Sequence, residues 1–285
     1  MTTKHIAQVE RENSRHWVGD GFPVRNMFSY DNLGAELSPF LLLDYAGPAD
    51  FDPTTKSRGV GAHPHRGFET VTIVYQGDVT HRDNAGNAGT IGPGDVQWMT
   101  AAKGILHEEI HGPILKEQGG TLEMVQLWVN LPAQDKMSAP RYQDILNVNI
   151  PTVSFDHNAG TLRVIAGEFQ NIRGPAKTFT PIELWDVRIH AGHDIDLQFK
   201  TGFTTAILVL SGKINVNDRS ELQSAEFALF EREGDTVRLH AHDDTTLLVL
   251  HGEPIDEPIV GQGPFVMNTQ EEIRQAATDF KAGLF

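Results

Sequence analysis

Two short motifs in this chain carry paired donor side chains, His63-Pro64-His65 and His107-Glu108-Glu109. Residues two apart on an extended strand leave the same face, so His63 and His65 form one pair of donors and His107 and Glu109 a second. Glu108 has the opposite parity and is expected to point away. If the two strands lie side by side with these residues inward, four donors converge on one cation. Imidazole nitrogens and a carboxylate oxygen suit iron, nickel, manganese, copper, cobalt or zinc better than calcium or magnesium. The sequence contains no cysteine, which excludes disulfides and thiolate ligands and leaves histidine and carboxylate as the strong ligands on offer. Such a donor set leaves coordination positions open for water, dioxygen or a substrate oxygen, the arrangement of a catalytic metal rather than an enclosed structural one.

The elements that must position these donors read as short β runs separated by Gly, Pro, Asn and Asp. Strands are expected from Phe22 to Phe28, from Phe40 to Tyr45, and from Glu69 to Tyr75, where apolar and polar residues alternate. Gly92-Pro93-Gly94-Asp95 is a tight-turn signal ahead of a strand from Val96 to Met99. The run from Ile105 to Ile110 carries the second donor pair, and residues 121–131 form one more strand. Glycines ahead of His63 permit close backbone approach, and Pro64, which lacks an N–H, fits a strand edge or an irregular segment. Phe68, Trp98, Met99 and Trp128 read as core, and Asp95 and Lys103 as turn residues. Arg66 is either a solvated strand-edge charge or a residue at the rim of the pocket or behind the metal ligands. The Gly92–Asp95 turn is no phosphate cradle, because it lacks the following Lys-Ser/Thr and the strand-loop-helix setting.

The second half repeats this grammar in "TLRVIAGEF", "IELWDVRIHAGHDIDLQF", "TTAILVLSGKINVN", "AEFALFEREGDTVRLHA" and "TTLLVLHGE". It reads as a tandem copy of one small barrel. Its histidines do not repeat the donor pattern: His190 and His193 are three apart, and His240 and His242 lack a neighbouring carboxylate, so they are expected at strand edges or in solvent. The polar stretch after residue 131, with Pro132 and Pro140, reads as a linker, which gives a metal-binding barrel over residues 1–135, a linker at 136–145 and a second barrel over 146–285. Residues 1–20 read as a polar arm. "NTQEEIRQAATDFKAGLF" fits a helix with Thr269 as N-cap, Glu272 completing a capping box, and Ile273, Ala277 and Phe280 on one face.

Composition bounds the partners. A chain of 285 residues with 39% hydrophobic residues suits two globular domains rather than one core. It has no apolar run of the roughly 18 residues that a membrane span needs, and its N-terminus lacks the apolar core of a secretory signal. A formal net charge of -15 works against contact with nucleic acid backbone and anionic membrane surfaces. The expectation is a cytoplasmic monomer without direct nucleic acid or membrane binding.

"HPHRGFETVT", "IGPGDVQWMTAAKGILHEE", "LWVNLP" and "GPFVMNTQEEI" resemble the pirin family, a branch of the cupin superfamily, and the likeness extends over essentially the whole chain. The resemblance implies an all-β fold of two tandem cupin barrels, each a double-stranded β-helix or jelly roll, with a C-terminal helix that returns toward the N-terminal domain. It implies one metal, typically iron, on His63, His65, His107 and Glu109, and a second barrel without a metal. Glu69, whose place after His65 looks like the first cupin motif, is a rival carboxylate that the pirin pattern leaves in or near the pocket as a non-ligand. Family members are reported with quercetin 2,3-dioxygenase activity, which implies a small aromatic substrate and O2, release of carbon monoxide, and Glu109 as base for the flavonol hydroxyl. Two alternatives follow from the same resemblance: a metal-binding, redox-responsive regulator acting through protein partners, and a cupin acting on another small molecule.

Overall fold

The computed structural model describes residues 2–11 and 14–285, and the chain divides into two compact units, each built almost wholly of antiparallel strands. The unit that carries the histidine motifs comprises Ser14–Ala35, Pro39–Asn147 and Ile255–Phe285. Seven of its strands form one sheet in the order Arg141–Ile145, Val96–Thr100, Phe68–Gln76, Gly120–Asn130, Phe40–Phe51, Phe22–Ser29 and His16–Val18. Four more form a second sheet in the order Gly59–His65, Ile105–His111, Val79–Asp83 and Ala88–Ile91. Two antiparallel sheets of seven and four strands thus make up the first of the two β barrels that the sequence implied.

Strand Phe68–Gln76 is buried along nearly its whole length, so both of its faces pack. Val74 belongs to the apolar cluster that includes Phe22, Val24, Met124 and Leu115. Thr70 and Thr72 share the parity of Val74, whereas Glu69, Val71 and Ile73 take the opposite face. The polar members of the alternation therefore face the barrel interior, which is the reverse of an ordinary core strand. Gly59–His65 is an edge strand, so Pro64 sits where its missing N–H interrupts no second ladder. Gly59 has φ +147°, and a Cβ there would run into the carbonyl of Glu109; Gly61, by contrast, has open space around it.

The expected domain boundaries give way to others. Arg141–Ile145, assigned to a linker from its polarity, is a strand paired with Val96–Thr100, and Lys136 is buried. The three N–H groups of the Lys136 ammonium donate to Gly67 O at 2.7 Å, Asn130 Oδ1 at 2.6 Å and Val266 O at 2.9 Å, so this cation is fully satisfied without a carboxylate. The C-terminal segment packs on this barrel. Phe265–Met267 and helix Gln270–Lys281 share a small apolar cluster of Phe265, Met267, Ile273 and Ala276. The helix begins as expected, with Thr269 and Glu272 forming both halves of a capping box, a device that contributes about 1 kcal/mol. Ala276 rather than Phe280 completes its buried face. A second, unexpected helix, Pro113–Gln118, starts where the Asp78 carboxylate accepts from the backbone N–H groups of Ile114 and Leu115.

The other unit consists of the described residues of Met1–Asn13 together with Glu36–Ser38 and Val148–Pro254. Its seven-stranded sheet runs Ile6–Glu10, Phe227–Phe230, Thr204–Ser211, Thr245–Gly252, Ile182–Ile189, Gly160–Ala166 and Thr152–Ser154. Its four-stranded sheet runs Asp194–Gln198, Thr236–Ala241, Lys213–Val216 and Ser220–Gln223. Strand numbers and sheet order match those of the first barrel, and so does the chain order except at one edge, where Ile6–Glu10 precedes its barrel in sequence while Arg141–Ile145 follows the strands of its own; the match bears out the tandem repeat. Residues 1–20, read as an arm, supply a strand to each barrel, since Ile6–Glu10 pairs with Phe227–Phe230 and His16–Val18 with Phe22–Ser29; residues 1, 12 and 13 lie outside the described part. Among the described residues no helix is long and apolar enough to cross a membrane.

Candidate metal centre

Strands Gly59–His65 and Ile105–His111 pair antiparallel, with His63 directly opposite His107 and His65 opposite Ile105. A register shift falls between His107 and Glu109 and moves Glu109 opposite Val60, the kind of bulge that re-aims a side chain. The three imidazole rings form a triangle with centroid separations of 4.8 Å for His63 and His65, 4.3 Å for His63 and His107, and 4.8 Å for His65 and His107. One ring nitrogen from each lies within 4.8 Å of the others, the single such group of potential ligands among the described residues.

The surroundings orient the rings. His63 is half-buried, and its Nδ1–H donates to Gly61 O at 2.9 Å, which leaves Nε2 bare. His65 is buried against the stacked pair Phe68 and Trp128, with ring separations of 5.2 and 5.3 Å. His107 is buried, its Nδ1 faces His81 Nδ1 at 3.3 Å, and its Nε2 has no hydrogen-bond partner. Burial first, and then the neighbouring imidazoles, hold His65 and His107 well below the usual histidine range, so both are neutral at physiological pH. An orphaned buried nitrogen costs on the order of 1–3 kcal/mol unless something binds it. Three converging imidazoles with that orphan fit a transition metal ion.

Glu109 stands outside the histidine group. Its carboxylate accepts from Thr72 Oγ1 at 3.0 Å and from Gln126 Nε2 at 3.1 and 2.8 Å, and it lines a pocket together with His63, Gln126 and Asp44. Val18, Phe22, Val24, Val60 and Met124 form the apolar wall of that pocket. The free space is about 30 Å³, enough for one or two water-sized groups. Burial pushes the Asp44 carboxyl above its ordinary value, against a hydrogen bond donated by Asn26 Nδ2 at 2.8 Å.

Glu69, expected in or near the pocket, is instead on the opposite face of its strand from Thr72. It accepts from Thr100 Oγ1 at 2.6 Å and lies 3.7 Å from the Arg141 guanidinium. Its apparent parity with His65 was counted across Arg66-Gly67, where the chain leaves one sheet for the other and Gly67 takes φ +93°, so alternation does not carry through. Arg66 is neither solvated nor at the rim of the pocket: it is buried, pairs with Asp279 at 2.7 Å and lies 4.3 Å from the Phe285 ring. Glu108 points away as expected, toward Arg82 at 3.9 Å. Phe68, Trp98 and Met99 are core, Trp128 is half-buried beside His65, and Asp95 holds its turn by accepting from Gly92 N at 2.9 Å.

Sequence reasoning missed Thr72, Gln126, Asp44 and His81. Two signals were available. Gln126 is a polar residue inside the apolar run Met124–Val129, and His81 and Asp83 repeat the two-residue spacing of the donor motifs on a neighbouring strand. In the second barrel, His190, His193, His240 and His242 form no group able to hold a metal, and His240 pairs with Asp194 at 3.2 Å.

The chain is similar to known proteins over nearly its whole length. A family model described as "Pirin" matches residues 21–129, and one described as "Pirin C-terminal cupin domain" matches residues 184–285. A Pseudomonas aeruginosa protein named "Putative quercetin 2,3-dioxygenase" is 57% identical over 282 residues, covering 99% of this chain and 98% of its own. Mouse pirin is 38% identical, with 97% of this chain and 91% of the mouse protein covered. The crystal structure of quercetin 2,3-dioxygenase from Acinetobacter baumannii superposes with a TM-score of 0.97 at 53% identity, over 99% of this chain and 98% of that one.

Proposed function

The chain belongs to the pirin family, and from that premise we propose that it is a metal-dependent dioxygenase that opens a flavonol such as quercetin with O2 and releases carbon monoxide. The observation that carries this reading is the convergence of His63, His65 and His107 beside a pocket whose wall includes Glu109. A divalent transition metal, iron first among the candidates and nickel, manganese, copper, cobalt or zinc behind it, would bind the flavonol oxygens and activate the ring toward dioxygen. His63, His65 and His107 would hold it through bare ring nitrogens. Glu109 is the proposed fourth ligand, through carboxylate lone pairs that Thr72 and Gln126 leave unused.

Glu109 also has the position of a general base for the flavonol 3-hydroxyl, since it is a carboxylate lining the pocket beside His63. The two bonds from Gln126 and the one from Thr72 fix its orientation before substrate arrives. The small free space admits only the oxygen-bearing edge of the flavonol, beside an apolar wall that includes Val18, Phe22 and Val60. Protein reconstituted separately with each of the six metals is expected to consume quercetin with O2 uptake and carbon monoxide release in equal amounts for at least one of them. Absence of flavonol turnover with every metal overturns the dioxygenase reading.

A further inference from the structure

We infer that His81 and Asp83 are positioning residues that fix the tautomer of His107, so that its Nε2 presents a lone pair to a metal. The inference rests on the reading of His107 as a ligand and extends it to two residues that are not themselves proposed ligands. Asp83 accepts from Ala85 N at 3.0 Å and Asn87 N at 2.9 Å on Oδ1, and from Asn87 Nδ2 at 2.9 Å on Oδ2. Its Oδ2 also lies 3.1 Å from His81 Nε2. A carboxylate only accepts, so the His81 proton at this contact sits on Nε2. With its proton on Nε2, His81 presents a bare Nδ1, and that atom faces His107 Nδ1 at 3.3 Å. Two bare nitrogens would repel, so His107 carries its proton on Nδ1 and donates it. The remaining nitrogen, His107 Nε2, is the buried atom without a hydrogen-bond partner. His81 cannot easily turn away: it is fully buried and stacks on Tyr142 with ring centroids 4.9 Å apart at 22°. The chain from Asp83 through two imidazoles thus does at longer range what a single carboxylate or carbonyl commonly does behind a metal-bound histidine, as the Gly61 carbonyl does behind His63.

The test has two arms. In metal-free protein, 15N chemical shifts of the His107 ring read the tautomer directly, and Nδ1–H is the expected result; Nε2–H in the wild type overturns the inference whatever the metal data show. In the second arm, Ni(II) is titrated into chelator-stripped protein against a chromophoric competitor. Asp83→Asn must keep its carbonyl on the two backbone N–H groups that Oδ1 accepts from, so its NH2 turns to His81 Nε2 and reverses both tautomers. Ni(II) affinity is expected to fall on the order of 10–100-fold. His81→Phe keeps the stack and removes the acceptor, and a similar loss is expected. His81→Asn restores an acceptor near the old Nδ1 position and should recover affinity to within about threefold, which a merely structural role for His81 would not predict. If folded Asp83→Asn binds Ni(II) as the wild type does, the inference fails. If the wild type binds no Ni(II), Fe(II) or Co(II) at all, the metal reading fails while the tautomer arm still stands on its own result.

Discussion

His107 in the first barrel pairs across the sheet with His63 on one side and Asp83 on the other. The corresponding strand of the second barrel, Thr236–Ala241, sets Leu239 between Ile195 and Val216. Strand order, pairing and turn placement are shared, yet the same inward positions hold imidazoles in one copy and aliphatic side chains in the other. The second barrel is filled by one large apolar cluster, in which Trp185 packs against Phe169 at 5.2 Å and Phe199 at 5.8 Å. The first leaves a pocket and lines it with Asp44, His63, Glu109 and Gln126. One copy gains stability from close packing, and the other gives part of that up to hold polar groups, such as His107 Nε2, that only a guest can satisfy. Even the histidine buried in the second barrel is fully engaged: His251 Nδ1 contacts Thr205 Oγ1 at 2.9 Å and Thr204 O at 3.0 Å, and its Nε2 accepts from Lys200 N at 3.2 Å.

This division of labour can be broken from either side. Trp185→Ala opens a cavity in the filled barrel and is expected to cost about 3–5 kcal/mol in urea unfolding while the protein still binds one metal per chain. Loss of metal stoichiometry in a folded Trp185→Ala variant would show that the two barrels do not divide the work as described. In the other direction, His107→Ala is expected to weaken metal affinity by more than about 100-fold, beyond the usual effect of an outer-sphere partner. Competition titration measures it, and unchanged affinity would remove His107 from the site.

Glu69 sharpens the comparison within the first barrel, because it is a buried carboxyl that the pocket does not use. Burial pushes it up to about 7 from 4.5, against bonds from Thr100 and Trp98 and the charge of Arg141. Between those values the folded chain holds a proton that the unfolded chain has released. The contribution of this group is therefore fully present below pH 4.5 and declines as the pH rises to 7. The loss is on the order of 2–3 kcal/mol, and Glu69→Gln should abolish it. Unfolding free energies of the two proteins compared at pH 5 and pH 8 decide the matter, and parallel pH dependence in both would refute the assignment. The smallest effect is expected at the exposed and half-buried histidines of the second barrel: alanine at His190, His193 or His240 should change stability by no more than about 0.5 kcal/mol and leave metal stoichiometry at one. A drop in stoichiometry on any of these three would place a metal where the geometry has none.

Much of the first barrel was legible in the chain because its signals are local. Two-residue spacing put His63 and His65 on one face, glycine and aspartate marked the turns, and Thr269 with Glu272 announced the terminal helix. The less legible parts depend on partners remote in sequence. Arg141–Ile145 looked like a linker because a short strand at a sheet edge has few apolar residues, and only its pairing with Val96–Thr100 orders it. Glu69 looked like a pocket residue because parity was carried through a turn that resets it.

The sequence by itself determined the all-β tandem repeat, the histidine triad and the lack of a matching set of donors in the second half, since these follow from residue type and short-range periodicity. The tertiary structure alone decided that Glu109 is held by Gln126 and Thr72 across the pocket, that His81 and Asp83 stand behind His107, and that each chain terminus completes the barrel distant from it in sequence. The physical reason is that strand register, bulges and edge pairing are set by contacts between segments far apart along the chain, and no local pattern encodes which segment will supply the partner.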